Sequence, residues 1–339
     1  MNDLVTFQDA LQLSEKYSKR HLLTGNGFSI ACRPDIFVYK KLFEQADFSR
    51  LSASARHAFE ALKTTDFERV IRALRDARRL VHLYSDAPEI QERMARDADG
   101  LREVLVQTIA QNHPEHPANL SPEEYAACRE FLSHFERKYT LNYDLLLYWT
   151  LMRIKEEGGP TPDDGFRKPE DDYEASYVVW EPNHRAQNVW YLHGALHIFD
   201  SGTEVQKYTW VNTGIRLIEQ IRQALEKEYY PLFVAEGSSA EKLARIKHSD
   251  YLAKAYRSFQ EIGGALFIYG HSLADNDEHY LKLIERGRVS HVFVGVYDPG
   301  SESARFIERR ANLLRANRGD RSPLDVTFYD AKTAHVWGK

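Results

Sequence analysis

The sequence predicts an α/β protein: a Rossmann-like, doubly wound, mostly parallel sheet carrying a large helical insertion. Three features predict it. A short apolar run, His21-Leu22-Leu23-Thr24, ends in Gly25-Asn26-Gly27 and leads into helix-compatible residues. That is the strand, glycine turn and helix start of a nucleotide-binding unit, although Ile30 stands where a dinucleotide fingerprint has its third glycine. From Ile215 onward, helix-like and strand-like segments alternate, which implies βαβ units and a sheet covered on both faces. Between these regions, residues 52–112 are helical in composition. The chain therefore divides into 1–50, the start of the sheet domain; 51–137, the helical insertion; and 138–339, the rest of the sheet domain.

Composition narrows the classes. A chain of 339 residues with 43% hydrophobic and 28% charged residues can bury a large core and is not a disordered sequence. A net charge of −5 gives no basic footprint, so direct nucleic-acid binding is not expected. No run approaches the roughly eighteen apolar residues of a membrane-spanning helix, and Met1-Asn2-Asp3-Leu4-Val5 does not read as a secretory signal. The two cysteines, Cys32 and Cys128, form no Cys-x-x-Cys pair, so no zinc ribbon and a cytoplasmic, reducing compartment are expected.

Taken in order, residues 4–20 read as an amphipathic helix entering the Leu22-Leu23 strand. In the helical block, Val70, Ile71, Leu74, Ala77 and Val81 trace an apolar face, and Arg69, Arg72, Arg75 and Arg78 trace a basic one. That stripe is either a partner surface or a solvated face. Asp66 and Glu68, at the start of this helix, either reach the ligand site or serve structure alone. His113-Pro114 breaks the block, and Ser121-Pro122-Glu123-Glu124 starts a helix running to about Arg137. A strand then ends in the polar run Asn142-Tyr143-Asp144, followed by the apolar helix opening at Leu145. Residues 158–172 are rich in Gly, Pro and Asp and read as a mobile surface loop.

Two strand-like segments follow, Tyr177–Trp180 and Asn188–Phe199. The second contains His193 and His197, four apart, but its period-two pattern and Gly194 favour strands joined by a turn over a helical metal pair. After Ile215 the expected elements are strand Pro231–Ala235, helix Ser239–Glu261, strand Ala265–Tyr269, helix Glu278–Glu285, strand His291–Val296, helix Ser303–Arg315 and strand Val326–Phe328. Arg305, Arg309, Arg310, Arg315, Arg318 and Arg321 form a late basic cluster that reads as surface.

Ligands of doubly wound sheets bind beyond the carboxyl ends of the strands. Four predicted strands end in polar or glycine-rich turns: Gly25-Asn26-Gly27-Phe28-Ser29, Thr140-Leu141-Asn142-Tyr143-Asp144, Tyr269-Gly270-His271-Ser272 and Val296-Tyr297-Asp298-Pro299-Gly300. Gly25 and Gly27 would let the backbone approach a pyrophosphate, and a Cβ at Gly27 is expected to meet the ligand or the next helix.

The first, second and third of these turns, with His193-Gly194 between the last two, resemble in order the motifs of the sirtuin-type NAD-binding family. They are most similar to prokaryotic sirtuin-like proteins of anti-phage defence, which degrade NAD and share Gly-Asn-Gly-x-Ser, Asn-Tyr-Asp and a His-Gly dipeptide. The resemblance implies a bacterial, cytoplasmic NAD hydrolase, a defence effector held in check by a protein partner or by homo-oligomer formation. NAD is the expected substrate. Asn142 and His193 are the implied catalytic residues; Gly25, Asn26, Gly27, Phe28, Ser29, Asp144, Gly270, His271 and Ser272 are the implied NAD-binding ones, and the fourth strand-end turn adds Tyr297 and Asp298 to the expected nucleotide site. The four-cysteine zinc module of protein-deacylating sirtuins has no counterpart after His193, so no zinc is expected. A non-catalytic NAD or ADP-ribose sensor gating a partner, and NAD-dependent deacylation or ADP-ribosylation, are the alternatives. Asn142 and Asp144 could also cap the next helix, and His193 could be a satisfied core histidine.

Overall fold

The computed structural model describes residues 4–338 apart from 82, 85–86, 157–161, 173, 185, 210–213, 235–237 and 320–321. Its strands are β1 (Arg20–Thr24), β2 (Arg137–Thr140), β3 (Phe166–Arg167), β4 (Tyr177–Trp180), β5 (Val189–Tyr191), β6 (Ile198–Asp200), β7 (Val205–Tyr208), β8 (Gly263–Tyr269), β9 (Arg288–Val296) and β10 (Asp325–Asp330). Six of them form one sheet in the order β10-β9-β8-β1-β2-β5, with every neighbouring pair parallel. The chain moves outward from β1 through β2 to β5, then returns to β8 and continues through β9 to β10. The order thus reverses between β1 and β8, the topological switch point at which open α/β sheets bind ligands. The apolar runs of the inner strands explain their place: Leu22, Leu23, Leu266, Phe267, Ile268 and Phe293 are fully buried, as both faces of a parallel sheet must be. The fold class read from the sequence is the one observed.

The elements between β1 and β2 are helical. The helix Phe67–Val81 packs along Pro88–Asn112 and buries Phe67, Val70 and Ile71. Its arginines face outward or pair within the chain: Arg72 with Asp76 (3.7 Å) and Arg75 with Asp99 (3.0 Å). A second, antiparallel sheet, β3-β4-β7-β6, is inserted after the helix Leu146–Glu156. Among the described residues no helix is long and apolar enough to cross a membrane.

Several boundaries differ from expectation, each for a local reason. The first helix covers only Phe7–Leu13, because Thr6 and Asp9 form a capping box and Val5 is extended beside β10, donating its N–H to the Phe328 carbonyl. The helix from Pro122 stops at Ser133, since β2 begins at Arg137. Within Asn188–Phe199 the turn expected at Gly194 is observed, with φ 78°, and the strands on either side of it, β5 and β6, lie in different sheets. Helix Ser239–Glu261 is broken at Ser249, whose hydroxyl caps the second segment, Asp250–Gln260. Pro231–Ala235 is no regular strand: Phe233 makes a single bridge to Gly194, and Ala235 lies outside the described residues. The loop 158–172 is corrected in part, since β3 pairs with β4 and Asp164 holds buried Lys207; residues 158–161 lie outside the described residues. In the late basic cluster, Arg310 pairs with Glu278 and Arg318 donates to main-chain carbonyls; Arg321 lies outside the described residues.

The junction at the switch point is backbone against backbone. Gly25 donates to the Tyr269 carbonyl (3.0 Å) and Gly27 to the Gly270 carbonyl (2.8 Å). A Cβ on Gly27 would lie 2.5 Å from Gly270 Cα, and Gly270 itself has φ 68°. Within the protein, the obstacle to a side chain at Gly27 is the Gly270 turn rather than the next helix. Gly27→Val is expected to destabilise the folded protein by about 1–3 kcal/mol, the usual cost of overpacking. Denaturant unfolding measures this, and an unchanged midpoint would contradict the close packing of the two turns.

Candidate functional site

The carboxyl ends of β1, β2, β5, β8 and β9 open into one cavity of about 570 Å³, within the usual range for small-molecule sites. Gly25, Asn26 and Gly27 line it from the first turn, and Asn142 and Asp144 from the second. His193 lines it after β5, Gly270, His271 and Ser272 after β8, and Tyr297 and Asp298 after β9. Phe28 and Ser29 do not. Phe28 is core, its ring 5.0 Å from that of Trp337, whose Nε1 donates to the Phe28 carbonyl. Ser29 is fully buried beneath the turn.

The glycine turn is not a cradle of open N–H groups. The N–H groups of Gly25, Gly27, Phe28 and Ser29 are all bonded within the protein, and the helix that follows, Gly27–Cys32, has only six residues. What the turn offers is close approach. It also fixes Ser29, whose hydroxyl donates to Asp144 Oδ2 and accepts from Asn142 Nδ2 at 2.7 Å. Because the single Ser29 proton is committed to the carboxylate, the Asn142 amide turns its NH₂ to Ser29. Its carbonyl oxygen is left buried with no hydrogen-bond partner among the described residues.

Asp144 does cap the next helix: Oδ1 accepts from Leu146 N at 2.9 Å, while His113 Nε2 accepts from Leu145 N at 3.0 Å. Burial pushes the Asp144 carboxyl above its ordinary value, against the Ser29 bond. Asn142 is not a cap; its own N–H donates to Thr140 Oγ1.

His193 sits after β5 because Gly194 turns the chain sharply against the Leu232 carbonyl, 1.9 Å from where a Cβ would lie. Its ring is buried beside Tyr143, with Nε2 3.6 Å from Asp277 Oδ1. Burial and the nearby Lys242 ammonium hold it well below the ordinary histidine pKa, hence neutral. His197 is buried elsewhere, against the rings of Tyr148 and Tyr191. His271 is turned inward: Nε2 donates to Asp277 Oδ2 at 2.9 Å and Nδ1 accepts from Leu273 N. Both ring nitrogens are thus used, which leaves no polar side-chain atom for a ligand. Ser272, Tyr297 and Asp298 are exposed at the rim.

Sequence reasoning missed a buried charge network under this wall. Lys242 Nζ, from the helix Ser239–His248, donates to Glu68 Oε2 (3.0 Å) and Asp277 Oδ1 (3.1 Å). Burial opposes the Asp277 charge, yet Lys242 and His271 hold its carboxyl well below the usual range. Burial pushes Glu68 up to about 7, against the pull of Lys242. Asn276 joins through Nδ2 to Glu68 Oε2 (2.8 Å). Glu68 and Asp66 come from the helical insertion and line the cavity, while Asp66 also caps its own helix at Arg69 N. The acidic run Asp275-Asn276-Asp277 just beyond the β8 turn was a legible signal. Nothing in the pattern of Ser239–His248 marks Lys242 as buried.

Fold and site together define an α/β protein with a parallel sheet and, at its switch point, a cavity lined by apolar residues such as Ile30, Leu105 and Ile109 together with Asp66, Glu68, Asp144 and Asp277. A family model described as a domain of unknown function, DUF4917, matches residues 22–337, and the chain belongs to that family. No curated protein matches the chain.

Proposed function

We propose that this chain hydrolyses NAD to ADP-ribose and nicotinamide. The observation that carries the reading is the Asn142 carbonyl oxygen, buried and without a hydrogen-bond partner among the described residues, on the wall of the cavity that also holds His193. It is an acceptor for a water or a ribose hydroxyl, and its amide is fixed by Ser29, whose own hydroxyl is held by Asp144. Breaking the nicotinamide–ribose bond sends the bond pair to the cationic ring nitrogen, so nicotinamide leaves neutral and the sugar becomes oxocarbenium-like, as in glycoside cleavage. No strong acid is needed. Of the carboxyl groups lining the cavity, burial raises Asp66, Glu68 and Asp144, while Asp277 is held ionised by Lys242 and His271 and is the one suited to a developing positive charge. Water adds to the anomeric carbon and loses its proton to neutral His193; the adjacent Asp277 carboxylate favours the imidazolium, against burial and the Lys242 ammonium.

The resemblance to sirtuin-like NAD-degrading proteins supports the same reaction and a role as a cytoplasmic, NAD-depleting defence effector. Control by a protein partner or a homo-oligomer belongs to the same proposal, because unrestrained hydrolysis would deplete the host. The purified chain incubated with NAD alone is expected to release nicotinamide and ADP-ribose in equal amounts. NAD that is bound but left intact would favour a sensor instead. Nicotinamide release only on addition of an acceptor protein would favour deacylation or ADP-ribosylation.

A further inference from the structure

Two buried nitrogens beneath the cavity wall have nothing to bond. His193 and His279 are 2% and 3% exposed, and Nε2 of each lacks a hydrogen-bond partner among the described residues. One nitrogen from each, with a carboxylate oxygen of Asp277, lie within 4.8 Å of one another. Two imidazoles and a carboxylate are a donor set for zinc-like divalent ions, commonly with the fourth position left to water or a ligand. We propose that His193, Asp277 and His279 form a binding site for a divalent transition-metal ion of the zinc class.

The surroundings suit such a site. His279 Nδ1 is engaged by the Ser239 hydroxyl at 3.1 Å, which fixes the ring and leaves Nε2 as the coordinating atom. Asp277 Oδ2 is likewise held by His271. Donors about 2.0–2.1 Å from a tetrahedral ion lie roughly 3.3 Å apart. The His193–Asp277 separation of 3.6 Å is close to that, and the other separations, all within 4.8 Å, close towards it when the ion binds. Lys242 competes, because its ammonium already bonds Asp277 Oδ1. It also bonds Glu68, to which it can retreat when the ion takes Asp277. The ion therefore replaces one of two partners of a buried cation, and its affinity is reduced by that exchange.

Coordination takes the lone pair of His193, so the ion should silence the hydrolase. That consequence rests on the proposed reaction, whereas the site itself does not. The experiment is titration of the metal-free protein with cobalt(II), read by its visible absorption, and with zinc, read by calorimetry and by the melting temperature. One ion per chain should bind, a tetrahedral cobalt spectrum should appear, and zinc should raise the melting temperature. His279→Gln, or His279→Asn if the first variant folds poorly, should weaken binding by about 100-fold or more. NAD hydrolysis should fall with zinc in the wild type and persist in the His279 variant. Absence of stoichiometric binding, or binding unchanged in a folded His279 variant, would overturn the site. Binding without loss of hydrolysis would overturn the inhibition. A wild type that binds metal but never cleaves NAD would keep the site and refute the proposed reaction instead.

Discussion

Asn142→Ala is expected to slow NAD cleavage by about 10²–10⁴-fold, and His193→Ala by a similar factor, the usual range for losing a positioned proton-transfer or water-orienting group. The two side chains reach one cavity from the ends of β2 and β5, and neither is a surface residue. Asn142→Ala removes the buried acceptor oxygen and leaves Ser29 without its amide donor, while the Ser29–Asp144 bond remains. NAD binding should therefore fall much less than turnover, because the glycine turns that shape the cavity are untouched. The double variant should be little worse than the worse single one, since residues acting as a unit are not additive. His197→Ala is the control. His197 packs in the core against Tyr148 and Tyr191, so that change should cost stability with little effect on the rate per folded molecule. Full turnover in Asn142→Ala, or equal losses in His193→Ala and His197→Ala, would contradict the assigned roles.

Lys242→Met should be among the most destabilising single substitutions in the protein. Lys242 is only 1% exposed and is the cation shared by Glu68 and Asp277. Removing one partner of a buried ion pair typically costs about 3–5 kcal/mol, because the remaining charge is stranded away from water. Asp277 is the group stranded, since it is held well below the usual carboxylate range and, among the described residues, keeps only His271 as a hydrogen-bond donor. Glu68→Gln should cost much less, because burial already brings its carboxyl to about 7 and its neutral form is accessible. Urea unfolding of the three proteins tests the contrast. A Lys242→Met midpoint equal to that of the wild type would mean that the network is not buried as described.

The parts of the site that were legible in the sequence are those dictated by backbone geometry. Gly25, Gly27 and Gly270 announce a close approach because no other residue tolerates it, and Gly194 announces the turn that aims His193. The parallel sheet follows from alternating segments whose strands are apolar on both faces. What was misread depends on which way a side chain turns. Phe28, Ser29 and His271 sit in the expected turns, yet the first packs on Trp337, the second is committed to Asp144 and Asn142, and the third to Asp277. Lys242 was invisible, because a lysine in a polar helix is ordinarily solvated. Only the carboxylates arriving from residues 68 and 277 make its burial tolerable, and contacts so distant in sequence leave no local pattern. The helix break at Ser249 was overlooked because its cap lies in a stretch free of proline and glycine.

The most direct test of the central claim is to incubate the purified wild-type chain with NAD in oxygen-18 water and to analyse the products by mass spectrometry. The account predicts nicotinamide and ADP-ribose in equal amounts, with one oxygen-18 in the ADP-ribose, placed at the anomeric carbon by water attack and carried into the newly formed hydroxyl. The same reaction with Asn142→Ala should yield almost none of either. Intact NAD after prolonged incubation with a protein that demonstrably binds it would contradict the account.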